Sequence, residues 1–174
     1  KINDSTKKVV VQIAPSVRVA LGEEFNLEPG ENTIGKIYAA ARRLGFNLIF
    51  DTNFSADLTI MEEANEFVQR LTKGEKLPLF TSCCPAWVRY LETQHPELLS
   101  HLSTCKSPQG MLSPVLKEFL PKYYEGYKKE DIVVVSIMPC TAKKYEAIRE
   151  QLINQTDFVL TTKEFAKMIK AAGI

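Results

Sequence analysis

Histidine is scarce in this chain, with only His95 and His101, and no C-x-x-C pair occurs among its four cysteines. A structural zinc site of the usual Cys/His kind is therefore not expected, and both histidines read as surface or helix-end residues. Long apolar runs are lacking too. The longest stretches, VVVQIAP (9–15) and IVVVSIMP (132–139), fall far short of the ~20 residues that span a bilayer, so no membrane insertion is expected. No secretory signal, internal repeat or low-complexity tract is visible. Charge of one sign is also missing: 22 Lys and Arg against 21 Asp and Glu leave a net charge of +1, spread along the chain. That balance gives no electrostatic grip on nucleic acid or an anionic membrane.

What remains is an ordinary globular composition, 45% hydrophobic and 25% charged over 174 residues, enough for one domain with a proper core. Short apolar, β-branched runs at 8–14, 46–51, 77–82, 132–138 and 157–162 read as buried parallel strands. Helical patterns lie between them. In 56–71, Ile60, Ala64, Phe67 and Leu71 recur at helix spacing, with Glu62, Glu63 and Glu66 beside them. In 108–120, Met111, Leu112, Val115, Leu116 and Phe119 do the same after a Ser107-Pro108 start, where Pro suits the first helical position. The segment 33–45 reads as a helix stopped by Gly45. This alternation predicts an α/β fold, a parallel sheet flanked by helices.

The cysteines are Cys83, Cys84, Cys105 and Cys140. Cys83 and Cys84 are adjacent in TSCCPAW (81–87), and neighbours bridge only with distorted peptide geometry, so two thiols with separate tasks are expected. Free thiols imply a reducing compartment, and a cytoplasmic location is the expectation. In parallel sheets, ligands collect at the carboxyl ends of strands. Three predicted strand ends carry unusual residues there: APS (14–16), TSCCP (81–85) and MPC (138–140). Cys84 and Cys140 fall at expected helix starts, which favour negative charge and so suit thiolates. They read either as metal ligands converging at one edge or as two buried, inert cysteines.

TSCCPAW followed by MPCTAKKYE resembles the first two signature motifs of the iron–iron hydrogenases. IAPSVRVALGEEF, FDTNFSADLTIMEEANEFVQRL, CKSPQGM and LTTKEFAKMIK resemble the same catalytic domain in the same order, so the likeness covers essentially the whole chain. A third family motif, C-x-x-x-C in a glycine-rich setting, has no counterpart up to Ile174, nor do the amino-terminal ferredoxin-like domains of many relatives. The resemblance therefore implies that residues 1–174 are the first part of an H-cluster domain, with half of its cluster ligands. The remaining part of the catalytic domain, on the same or another chain, is then an expected partner.

The resemblance implies a cofactor, the H-cluster: a 4Fe-4S cluster linked to a diiron site with CO, cyanide and a bridging dithiolate. It assigns Cys84 and Cys140 as ligands of the 4Fe-4S part. Cys83 becomes the last proton carrier before the open iron, with Glu63, Ser103 and Glu66 relaying protons to solvent. Residue patterns alone would make that glutamate pair a solvated helix face. Lys143 and the turn Ala14-Pro15-Ser16 are the implied donors to the two cyanides, while Ser107, Pro108, Gln109 and Met138 shape the pocket. Glu146, one turn after Lys143, can support that lysine by an ion pair. Two positions depart from the family pattern: Ala86 where Gly is common, and Cys105 where a small non-thiol residue is usual. Cys105 reads as a packed small residue or as an oxidant-sensitive spot. The implied activity is reversible reduction of protons to dihydrogen, with ferredoxin or a similar carrier as electron partner. Two other classes share parts of the pattern: hydrogen sensors, which typically replace the proton-carrying cysteine, and iron–sulfur assembly relatives, which lack the full diiron pocket.

Overall fold

Residues 9–13 and 132–138, in the two central strands of the sheet, are buried on both faces, which is why both stretches are predominantly apolar. The computed structural model describes residues 1–174. Its sheet has four strands, β1 (Lys8–Ile13), β2 (Leu48–Asp51), β3 (Ile132–Met138) and β4 (Phe158–Thr161), in the order β2-β1-β3-β4. All three pairings are parallel. Seven helices accompany it: α1 (Val17–Ala20), α2 (Ile34–Leu44), α3 (Asn53–Lys73), α4 (Pro85–Gln94), α5 (Pro108–Tyr123), α6 (Ala142–Ala147) and α7 (Thr162–Ala171). The fold is the expected α/β class.

Side chains on a strand alternate between faces, and the two faces carry separate cores. Val9, Val11, Ile13, Val133, Val135 and Ile137 meet Val17 of α1, Ile37, Ala40 and Ala41 of α2, and Phe165, Ala166 and Ile169 of α7. Val10, Ile132 and Val134 face the other way, onto Leu112, Leu116 and Leu120 of α5. Helix α3 lies against α5. Local signals fix the helix ends. Gly45 stops α2 with φ 97°, a left-handed conformation that glycine adopts without penalty, and its N–H reaches the carbonyls of Ala41 and Arg42. Ser107 caps α5 by accepting from the Gly110 amide at 3.2 Å, with Pro108 in the first turn. Thr161 and Glu164 form a reciprocal capping box at the start of α7.

Two expectations are corrected. Residues 77–82 form no strand of the sheet; they make a single parallel bridge, Phe80 with Leu102. Pro78 removes one ladder donor, and the segment's neighbour is the 101–103 loop rather than another strand. TSCCP therefore follows a tethered segment, while APS and MPC follow true strands. The second correction concerns α3. Ile60, Phe67 and Leu71 are 64%, 45% and 57% exposed, so the apolar stripe faces outward. Inward lie Ser55 and Thr59, both buried, followed by the half-buried Glu63, Glu66 and Arg70. Periodicity identified the helix but cannot say which stripe turns in when the inner neighbours are polar.

The orientation of α3 is testable in the 174-residue chain. Leu112→Ala, in the α5 core, is expected to cost about 2–5 kcal/mol. Leu71→Ala, which a buried apolar stripe would make equally costly, is expected to stay within about 0.5 kcal/mol. Urea unfolding of the two variants side by side checks both figures.

Candidate functional site

The carboxyl edge of the sheet gathers the chemically unusual segments. β1 and β3 pair in register up to Ile13 and Ile137, and the Ala14 amide then donates to the Ile137 carbonyl at 3.0 Å. That bond sets the Ala14-Pro15-Ser16 turn beside the Met138-Pro139-Cys140 corner. Ala14 and Met138 are buried, whereas Pro15 and Ser16 are exposed. Ser16 caps α1 without a side-chain hydrogen bond of its own.

The third segment is attached by one side chain. Lys143, in the first turn of α6, donates from Nζ to the carbonyl oxygen of Cys83 at 2.7 Å and to Glu146 Oε2 at 2.7 Å. Glu146 is 5% exposed, and Lys143 is mostly buried. Gln109, 2% exposed, completes this knot: its Nε2 donates to the Lys143 carbonyl and to Glu146 Oε2, each at 3.2 Å. Its Oε1 is buried without a partner. Two acceptors on the Nε2 side fix the orientation of the amide, since a flip would face oxygen with oxygen. The expected ion pair of Lys143 with Glu146 is present, and the lysine additionally grips the cysteine segment.

Cys84 is the cap residue of α4, with Pro85 at its first helical position. Cys140 precedes Thr141, the cap of α6, and its carbonyl accepts from the Lys143 amide at 3.3 Å. Cys83, Cys84 and Cys140 are free and exposed, which removes the alternative of buried, inert cysteines. The thiols are soft donors of the kind that hold iron–sulfur clusters, usually four together. No three His, Cys, Asp or Glu side chains converge here into a group able to hold a metal ion. The chemistry of the exposed thiols fits an iron–sulfur cluster.

Of the expected relay, Ser103 and Glu66 are brought into contact. Ser103 Oγ donates to Glu66 Oε2 at 2.8 Å and accepts from the Cys105 amide at 3.1 Å. Glu66 also accepts from the Thr104 amide at 3.0 Å and from Arg70 at 2.6 Å. Burial pushes the Glu66 carboxyl up, but the bonds from Ser103, Arg70 and Thr104 together outweigh it and hold the group below the ordinary carboxylate range. Glu63, one turn earlier on α3, keeps one carboxylate oxygen buried and unpartnered. Arg70 escaped the sequence reading, although its position four residues after Glu66 marks the pair. It also donates to the carbonyls of Lys76, Ser100, His101 and Leu102, binding α3 to the loop that carries Ser103.

Cys105 is half-buried and lines a cavity of about 360 Å³ with Ser82, Ser103, Ser107, Glu146 and Arg149. Burial pushes its thiol pKa up, and the carboxylates of Glu66, Glu63 and Glu62 add to this against a hydrogen bond with Ser103. Of the two histidines, His95 caps the end of α4 and His101 lies 2.9 Å from the Pro78 carbonyl. No helix is long and apolar enough to cross a membrane.

A parallel α/β sheet with free thiols, a buried lysine–glutamate pair and an unpartnered amide oxygen at its carboxyl edge has the chemistry of a cofactor-binding domain. Residues 7–174 match the family described as the iron-only hydrogenase large subunit, C-terminal domain, and the chain belongs to that family. It is 49% identical over 177 residues to iron hydrogenase 1 of Clostridium pasteurianum, covering 99% of this chain and 31% of that protein. It superposes on apo [FeFe]-hydrogenase HydA1 of Chlamydomonas reinhardtii, variant C377H, with a TM-score of 0.92 and 46% identity, covering 100% of this chain and 45% of that one. A cytosolic iron-sulfur assembly component 3 of Bos taurus is 33% identical over 182 residues, 98% of this chain and 38% of that protein. The chain thus spans less than half the length of these relatives.

Glu66 gives a pH-dependent test. Its folded-state pKa lies below the unfolded one, so its stabilisation is present above the ordinary carboxylate pKa and is lost as pH falls through the folded value. Glu66→Gln leaves Arg70 partly buried without its carboxylate and is expected to destabilise by about 1–3 kcal/mol at neutral pH. The gap to the parent should narrow steadily once the pH drops below about 4. Denaturant titrations of both proteins at a series of pH values measure it.

Proposed function

We propose that the chain forms the first part of the catalytic domain of an iron–iron hydrogenase that reversibly reduces protons to dihydrogen, with ferredoxin or a similar carrier as electron donor. The observation that carries this reading is the Lys143 knot, which ties the Cys83-Cys84 segment to the corner bearing Cys140 at the sheet edge. When bound, the H-cluster supplies redox-active iron and an open iron position at which dihydrogen is made or split. Cys84 and Cys140 would hold its 4Fe-4S part as thiolates. Lys143, already desolvated and charge-balanced by Glu146, would give its ammonium to one cyanide, and the Ala14-Pro15-Ser16 turn would donate to the other. Ser107, Pro108, Gln109 and Met138 would wall the pocket, with the free Gln109 Oε1 as an acceptor there.

Cys83 would hold the proton nearest the iron, because a thiol can take up and pass on a proton without a large motion. Glu63 would take it next. Its unpartnered carboxylate oxygen leaves room for a transient proton. Ser103, whose hydroxyl already donates to Glu66, would pass it on, and Glu66 would release it toward solvent. The remaining part of the domain would supply the other ligands and close the pocket. Support for such a partner comes from the outward apolar face of α3, where Phe54, Ile60, Met61, Phe67, Val68 and Leu71 are 45–69% exposed. Several large apolar side chains exposed on one helix suit a contact area. The exposed free thiols suit a reducing, cytoplasmic setting.

A second reading, an iron–sulfur assembly role, is favoured by the 33% identical bovine relative, but the hydrogenase relatives stand at 49% and the chain keeps Cys83. One pair of variants in the complete protein separates the readings. Cys84→Ser is expected to lower iron content and abolish the cluster's spectrum. Cys83→Ala is expected to keep carbonyl and cyanide infrared bands while hydrogen turnover falls at least ~100-fold, as for loss of a positioned proton carrier. Cys83→Asp should recover part of that rate. Absence of those bands from the parent protein would favour the assembly reading; parent-rate turnover by Cys83→Ala would refute the division of labour between the two thiols.

A further inference from the structure

Within the buried stretch of β1, one residue is polar. Gln12 stands between Val11 and Ile13 with 0% exposure, and its register partners are Phe50 and Ser136. A primary amide buried in a sheet is costly unless its hydrogen bonds are made, and an aliphatic side chain would fill the space without that cost. Its bonds are made across the layer, onto α5. Gln12 Nε2 donates to the Gln109 carbonyl at 3.2 Å and to Ser113 Oγ at 2.9 Å, while its Oε1 accepts from Thr52 at 3.4 Å. Ser113 Oγ in turn lies 3.1 Å from the Gln109 carbonyl and 2.6 Å from Thr156 Oγ1. The hydroxyl of Ser136 remains unpartnered, so the amide is directed at the helix rather than at its neighbour in the sheet.

The part of α5 that Gln12 holds needs holding. Pro114 lies inside the helix and has no N–H to give the preceding turn, which weakens the helix just after Gln109 and Gly110. Gln109 is consequently fixed from two sides, its backbone by Gln12 and its side chain by the Lys143 carbonyl and Glu146. The hydrogen bonds run without a break from Gln12 through Gln109, Glu146 and Lys143 to the carbonyl of Cys83. Four segments are linked this way: β1 with its Ala14-Pro15-Ser16 turn, the first turn of α5, α6, and the adjacent thiols.

We propose that Gln12 is a positioning residue for the cofactor pocket: from the core of the sheet it fixes the first turn of α5, and through Gln109 the lysine–glutamate knot that anchors Cys83. It touches no reacting group. The functional part of this assignment rests on the hydrogenase reading, whereas the structural part does not.

The test uses Gln12→Met in the complete protein, which nearly keeps the volume and removes the three side-chain hydrogen bonds, with Ser113→Ala as the variant that opens the same network from the other end. Hydrogen exchange on cofactor-free protein, followed by mass spectrometry, reads the positioning directly. Exchange in peptides covering 107–113 and 140–146 is expected to rise about tenfold, with the amides of Val9–Val11 and Val133–Val135 unchanged. In loaded protein the cyanide infrared bands are expected to shift or broaden. Parent-like exchange in 107–113, or equal loosening of the whole sheet, overturns the proposal in either variant. Localised exchange with unshifted cyanide bands overturns the pocket role, and a parent protein that shows no cyanide bands at all sinks the hydrogenase reading while the exchange result still decides the bracing role.

Discussion

The in-register pairing of β1 with β3 is the constraint on which the site depends. The two strands end within one residue of each other, and the bond from the Ala14 amide to the Ile137 carbonyl carries the register one residue past β1. A slip of one residue would turn every inward side chain outward and would separate the two corners. The valine-rich sequences of both strands hold the register by burying alternate residues against α2 and α7 on one side and α5 on the other. The site's precision is thus inherited from apolar packing, with polar groups adding direction at the edge.

Those polar groups are few and mutually committed. Lys143 is shared between a backbone carbonyl and a carboxylate, and Glu146 between the lysine and an amide. Such buried sets are worth keeping only when almost every member is satisfied. Two of the buried groups left without a partner, Gln109 Oε1 and Glu63 Oε1, are acceptors on residues assigned to the proposed chemistry. An acceptor without a donor in the protein is a natural place for a group that arrives later or a proton that passes through.

Much of this was legible in the residues. The four real strands, the Gly45 stop and the Ser107-Pro108 helix start follow from local rules that tertiary context did not override. The Lys143–Glu146 pair was legible from helical spacing. What failed did so for stated reasons: 77–82 has strand composition but found only a loop to pair with, and α3 has the right period but the opposite facing. Glu66, which spacing alone would have left on a solvated face, turns toward Ser103, Thr104 and Arg70. Neither the bond from Lys143 to the Cys83 carbonyl nor the reach of Gln12 to α5 could be read from spacing, because each joins segments about 60 and 97 residues apart. The lone polar residue in VVVQIA was the available hint for the second.

The inverted α3 has a bearing on how such a chain fares during synthesis. A helix with polar groups inside and phenylalanine, isoleucine, methionine and leucine outside completes its own fold while still presenting adhesive surface. Until something covers that surface, the folded unit should resemble a late folding intermediate to a cell's quality control: native within, yet attractive to holdase chaperones and prone to stick to its copies. Timing of coverage, more than stability of the sheet, would then govern the yield of usable protein.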